Sequence, residues 1–106
     1  MLTTWPVLTE AMYLLGDAGG WPAQRALWAM IERGALEVAE LRTSEIARAR
    51  ALMEKYRDAP MDLADATLVA VGEARGLKRM FTLDSDFGVY RYRNREAFDV
   101  VPGRRD

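Results

Sequence analysis

The 106-residue sequence predicts an α/β fold with a largely parallel sheet, and three observations carry that expectation. Apolar residues recur at helical spacing in four stretches. Short runs of strand length alternate with them. Gly and Pro punctuate the joints, and no linker is long enough to divide the chain. One domain is expected over residues 1–102, with a tail at 103–106.

Leu2–Thr4 reads as a short extended start leading into Trp5-Pro6, and Pro6 suits a first helical turn. Val7, Leu8, Ala11, Met12, Leu14 and Leu15 then form a helical stripe, which Gly16-Asp17-Ala18-Gly19-Gly20 breaks. A second helix starts near Pro22, with Ala23, Ala26, Leu27, Met30 and Ile31 on one face and Gly34 as its stop. Ala35–Leu41 alternates like a strand. Thr43 or Ser44 can cap a third helix in which Ile46, Ala49, Met53 and Tyr56 recur, and Ala59-Pro60 ends it. A fourth helix spans Asp62–Arg75 and closes at Gly76; Arg79–Leu83 and Phe98–Val101 are the last strands.

Composition removes whole classes of chemistry. Half of the residues are hydrophobic, enough for a core, and the net charge of −1 argues neither for a generic DNA-coating protein nor for an acidic tail. There is no cysteine, hence no disulfide framework and no thiolate zinc site. There is no histidine either, which excludes histidine-based serine and cysteine hydrolases, histidine–zinc sites and two-histidine RNA cleavage. Hydrolysis here must rest on carboxylates, hydroxyls, lysines or a metal held by oxygen. No apolar run approaches the roughly 20 residues of a membrane-spanning helix. The start is a poor signal peptide, without a basic head and with Glu10 inside its apolar stretch. A cytoplasmic location is expected.

The most informative stretch is 61–87, MDLADATLVAVGEARGLKRMFTLDSDF, with Asp62 and Asp65 at its head and Asp84 and Asp86 at its tail. From Asp65 a helix descends about ten residues, roughly 15 Å. The strand that follows climbs a similar distance at ~3.3 Å per residue. Asp65 and Asp84 are thereby expected at the carboxyl edge of the sheet, where open α/β sheets place their sites. Glu10, one to two turns into a helix leaving the extended start, belongs to the same edge. Converging carboxylates repel, so a cluster needs a cation or protonated members, and an all-oxygen set favours Mg²⁺ or Mn²⁺.

The plain alternative is that Asp62 and Asp65 only cap a helix and that Asp84-Ser85-Asp86 only makes a turn. Taken jointly, with histidine absent, the metal reading is preferred. An apolar strand ending in D-x-D also resembles the haloacid-dehalogenase-like phosphatases, but there the motif opens the fold, and here only a short tail follows it.

On these residues the chain resembles the PIN-domain ribonucleases, especially the VapC-like toxins of toxin–antitoxin pairs. The matching pieces are TTWPVLTEAMYLL with Glu10, PMDLADATLVAVGEARG with Asp65, and RMFTLDSDFGVYR with Thr82 and Asp84. The resemblance spans Thr3 to about Pro102. It implies a three-layer α/β/α domain and a Mg²⁺- or Mn²⁺-dependent endoribonuclease. Glu10, Asp65 and Asp84 would be the catalytic and metal carboxylates, with Asp86 a further ligand. Thr82 would orient a carboxylate or water, and Asp62 would support the site as a cap. A cognate antitoxin protein and a homodimer are the implied partners beside the RNA substrate.

One departure matters. The family opens with a central strand ending in its first catalytic aspartate, and that strand has no counterpart ahead of Thr3-Thr4 in this sequence. The resemblance therefore implies an N-terminally truncated PIN-like domain, a weak nuclease or none, prone to dimerise or exchange strands. A non-catalytic, degenerate PIN-like interaction module is the alternative.

For RNA, Arg91, Arg93 and Arg95 alternate with Tyr90, Tyr92 and Asn94, so an extended segment would offer guanidinium groups to phosphates and rings to bases. An edge strand protected by charge is the plainer reading. Arg42, Arg48, Arg50, Lys55 and Arg57 on the third helix are second-tier RNA candidates. Trp21, Trp28, Met30 and Met53 are expected in the core or at a dimer contact.

Overall fold

The order of elements is β1 (Leu2–Thr4), α1 (Trp5–Glu32), β2 (Glu37–Ala39), α2 (Thr43–Lys55), α3 (Leu63–Arg75), β3 (Arg79–Phe81), β4 (Arg91–Tyr92), β5 (Glu96–Ala97) and β6 (Asp99–Val101). These come from a computed structural model that describes residues 1–59, 61–83, 91–92, 96–97 and 99–101. Strands β2-β1-β3-β6 form one sheet in that order, every neighbouring pair parallel, while β4 and β5 form a separate antiparallel ribbon. The expected parallel α/β architecture is present.

Two apolar clusters lie on opposite faces of the sheet, which makes three layers. Along β2 and β3 the pleat sends alternate residues to opposite sides. Ala39 and Met80 join Ala49 and Leu52 of α2 and most of α3; Val38 and Phe81 join Leu8, Ala11 and Leu27 of α1. The α2/α3 layer is built around α3, in which Ala64 through Gly72 are all buried. A helix buried all round is a central one. Its side chains there are apolar apart from Asp65 and Thr67, and all but Leu68 of the apolar ones are small or β-branched.

Helix α3 also carries its own start and stop. Asp62 is the N-cap and accepts a hydrogen bond from the Asp65 amide at 2.9 Å. Gly76 ends the helix at φ 66°, in the left-handed region that disfavours side chains. The chain then turns directly into β3.

Helix α1 is two helices joined at Gly20, whose φ of 65° and ψ of −157° are not helical. The break falls at Gly20 alone; the preceding Gly16-Asp17-Ala18-Gly19 stays helical, where the sequence pattern suggested that the whole stretch unwinds. Gln24 Nε2 donates to the Met12 carbonyl at 3.0 Å. Twelve residues of straight helix would hold these groups about 18 Å apart. The two halves therefore fold toward each other, and Leu27 packs beside Leu8 and Ala11.

Four other expectations are corrected. The strands are shorter than their apolar runs, with β2 at Glu37–Ala39 and β3 at Arg79–Phe81. The N-cap of α2 is Arg42, not Thr43 or Ser44, and its amide donates to Glu45 Oε1 at 2.8 Å. Ile46 (55%) and Met53 (36%) are exposed, because α2 turns Glu45, Ala49 and Leu52 inward instead. Trp21 (58%) and Trp28 (38%) also lie on the surface, which overturns the core half of the expectation of a core or dimer contact.

The reason for the rotation of α2 is a buried ion pair. Glu45 Oε2 accepts from Arg75 Nε at 2.8 Å and Oε1 from Arg75 Nη2 at 2.9 Å, with the Glu45 side chain at 0% exposure. Arg75 Nη2 also donates to the Glu40 carbonyl. The pair joins α2, α3 and the residue after β2. The Arg75 guanidinium holds the Glu45 carboxyl below the ordinary glutamate range despite its burial, and Glu45 raises Arg75 in return. Beside it, Arg48 meets Glu73 at 3.3 Å. Arg50 lies 3.8 Å from Glu54, and Arg57, just past α2, donates to the Glu54 carbonyl, so part of the basic charge on and after α2 is engaged within the chain.

Candidate active site

The carboxyl edge of the sheet is assembled by hydroxyl groups. Strand β1 ends in Thr3 and Thr4, both at 0% exposure, and β3 is followed by Thr82, also buried. Thr3 Oγ1 donates to the Phe81 carbonyl at 3.1 Å, fastening β1 to the end of β3. This bond supports a contact in which only Leu2 and Met80 are in register. Thr4 Oγ1 lies 2.8 Å from Thr67 Oγ1, across 63 residues of sequence, and so fastens the end of β1 to α3.

That last contact fixes where Asp65 stands. Thr67 is two residues beyond Asp65, so the first turns of α3 lie against the carboxyl end of β1, as the helix-down, strand-up geometry predicts. Asp65 is 3% exposed. It occupies the third position of the helix, where an acidic side chain meets the positive end of the helix dipole. Its backbone amide is held by Asp62, which is itself exposed and serves as the cap.

Glu10 approaches from the other helix. Helix α1 begins at Trp5, immediately after β1, so its first turns share the same edge. Val7 packs in the cluster that contains α3, and Glu10 follows it by three residues, on the same side of the helix. Glu10 is half-buried there. The edge thus brings Thr4 and Thr67 together two residues beyond Asp65, with Thr82 buried just after β3, and Glu10 lies three residues beyond Val7, which packs with α3.

Asp84 and Asp86 lie outside the described residues, as do Arg93 and Arg95. Arg91 is described in its backbone, as one strand of the β4–β5 ribbon, which packs beside α3. It is extended, as the alternation suggested, but in a ribbon separate from the main sheet. Among the described residues no three of His, Cys, Asp and Glu gather as a cation-binding group. The donors present at the edge are nevertheless of one chemical kind. Carboxylate and hydroxyl oxygens suit a hard divalent cation, and a buried carboxylate at a strand's carboxyl edge is the feature such an ion stabilises. Mg²⁺ or Mn²⁺ fits the donor set.

Sequence reasoning singled out Thr82 but missed the other three threonines. Thr3 and Thr4 read only as strand formers, and Thr67 as part of an apolar helix. The available signal was Thr67 within the otherwise apolar run ADATLVAV. A hydroxyl on a wholly buried face needs a partner.

An open, all-parallel sheet with a buried acid at its carboxyl edge defines an α/β domain of the kind that places chemistry at strand ends. Residues 1–91 match the family model described as PIN domain. Ribonuclease VapC26 of Mycobacterium tuberculosis (strain ATCC 25618 / H37Rv) is 30% identical over 97 residues, which cover 91% of this chain and 72% of that protein. The crystal structure of Mycobacterium tuberculosis VapC20, a Sarcin-Ricin loop cleaving toxin, matches with a TM-score of 0.68 at 24% identity. It covers 83% of this chain and 68% of VapC20, a likeness of fold. The chain belongs to the PIN-domain family, among its VapC-like ribonucleases. No helix among the described residues is long and apolar enough to cross a membrane.

Proposed function

We propose that this protein is the toxin of a toxin–antitoxin pair, an endoribonuclease dependent on Mg²⁺ or Mn²⁺. The observation that carries the reading is the buried Asp65 carboxylate at the sheet's carboxyl edge, in a chain of the PIN-domain family. Glu10, Asp65 and Asp84 would hold the cation, with Asp86 as a further ligand. When bound, such an ion supplies positive charge at the scissile phosphate and makes a water more acidic. The reaction adds water across a P–O bond. Hydroxide goes to phosphorus, and the proton goes to the departing sugar oxygen.

The chain's own residues have three tasks. The carboxylates of Asp65 and Asp84 accept hydrogen bonds from the attacking water and orient it. Thr82, buried just after β3, would fix a carboxylate or that water through its hydroxyl. The arginines at 91, 93 and 95 bind the RNA backbone, and Asp62 keeps the first turn of α3 wound. A cognate antitoxin is the protein partner, and the active form is a homodimer.

Cleavage of a mixed RNA pool, with either metal or with a chelator, tests the reading. Asp65→Asn should lower cleavage by about two orders of magnitude or more while the circular dichroism spectrum stays native. Cleavage that persists in chelator, or an undiminished Asp65→Asn variant, would overturn it.

A further inference from the structure

The Thr4–Thr67 contact has a direction. Thr67 Oγ1 lies 2.8 Å from the Ala64 carbonyl, which can only accept, so the single Thr67 proton is committed there. Thr4 must then donate to Thr67. The result is a chain of hydrogen bonds from Thr4 to Thr67 to Ala64, ending on the residue that precedes Asp65. Thr4 and Thr67 are 0% and 1% exposed, so water does not compete for these bonds.

Thr4 also stands at the N-cap of α1, a position where threonine commonly caps its own helix. Its side chain makes no such bond. The hydroxyl is spent instead on α3. Thr4 is the hinge from which α1 departs toward Glu10, and Thr67 lies in the turn that follows Asp65. One buried contact thus sets the spacing between the two helices that bear these carboxylates.

We infer that Thr4 and Thr67 are positioning residues that hold Glu10 and Asp65 at a common distance for a divalent cation. The inference rests on the proposed role of Asp65. Neither hydroxyl need touch the cation or the RNA. Their part is to keep α1 and α3 in one arrangement at the sheet edge.

Valine has nearly the shape of threonine without the hydroxyl, which allows stability and positioning to be separated. Thr67→Val alone strands the Thr4 hydroxyl in an apolar site and should lower Tm by about 5 °C or more. The double variant Thr4→Val/Thr67→Val removes both partners and should regain most of that loss. Mn²⁺ affinity, read by electron paramagnetic resonance on the whole chain, should nonetheless remain weakened about fivefold or more in the double variant. Thr4→Ser/Thr67→Ser, which keeps both hydroxyls, should bind Mn²⁺ as the native protein does.

A folded double valine variant with native Mn²⁺ affinity would overturn the inference, since the hydroxyl pair would then set no spacing that the cation reads. If the double valine variant fails to fold, the serine variant decides, and weakened Mn²⁺ binding in folded serine protein counts against the inference. Asp65→Asn is measured alongside. Native Mn²⁺ affinity in that variant would remove the role of Asp65, and the inference with it. Weakened binding in Asp65→Asn but not in the double valine variant would sink the positioning role alone.

Discussion

Replacing Arg75 by methionine should be the most damaging change to stability away from the sheet edge. Glu45 accepts hydrogen bonds from Arg75 Nε, Arg75 Nη2 and the Arg42 amide, and its side chain is 0% exposed. Without Arg75, two of those three donors and the balancing charge disappear, and a carboxylate stays buried. Breaking a buried pair from one side costs about 3–5 kcal/mol. That is a large share of the roughly 5–15 kcal/mol that holds an ordinary domain folded. Glu45→Gln should cost less, about 1.5–3 kcal/mol, because Arg75 is 19% exposed and can turn toward water. Replacing both by methionine should restore most of the loss, since the buried charge is gone.

Acid supplies an independent check. In the native protein Arg75 lowers the folded-state pKa of Glu45, so the pair stabilises the fold above the ordinary glutamate range. That contribution is lost as pH falls below about 5 and through the lowered folded value. In Arg75→Met, burial acts on Glu45 without its main opposing partner and favours the neutral form. The stability gap between native and variant protein should therefore be widest near neutral pH and narrow on acidification. Urea unfolding followed by tryptophan fluorescence at several pH values measures it. A gap under about 1 kcal/mol at neutral pH, or one that stays constant into acid, would refute the reasoning. Folded Arg75→Met should still cleave RNA, because Arg75 and Asp65 are ten residues apart on α3, about 15 Å.

Changing Arg91, Arg93 and Arg95 together to glutamine should weaken RNA binding and reduce the slope of log affinity against log salt by about 2, at roughly 0.7 per lost phosphate contact on a single strand. An unchanged slope would remove them from the RNA surface. Asp62→Ala should cost about 1 kcal/mol through loss of the α3 cap, and Asp62→Ser should recover it. Cleavage by the serine variant at the native rate would confirm that Asp62 acts as a cap; a rate as low as that of Asp65→Asn would make it a ligand.

What the sequence made legible was whatever rests on neighbouring residues. Helix α3 could be read in full, because Asp62, Asp65 and Gly76 are start and stop signals whose partners lie within a turn. A joint within Gly16–Gly20, though not its restriction to Gly20, and the placement of Asp65 were legible for the same reason: they follow from chain geometry over a few residues. What stayed hidden depends on pairs distant in sequence. Periodicity assigned Ile46 and Met53 to the buried face of α2, since hydrophobic pattern cannot register a glutamate made acceptable inside by an arginine 30 residues away. Thr4 and Thr67, 63 residues apart, are the stronger case. Each looks ordinary in its own segment, one a strand-end threonine ready to cap a helix, the other a β-branched residue within a helix. Their meaning appears only once the sheet puts β1 beside α3, where a local cap has given way to a bond between the elements bearing Glu10 and Asp65. The acids name the chemistry available at this edge, and they are readable from residue type alone. The spacing that would make them act together is set by hydroxyls that no residue count would single out.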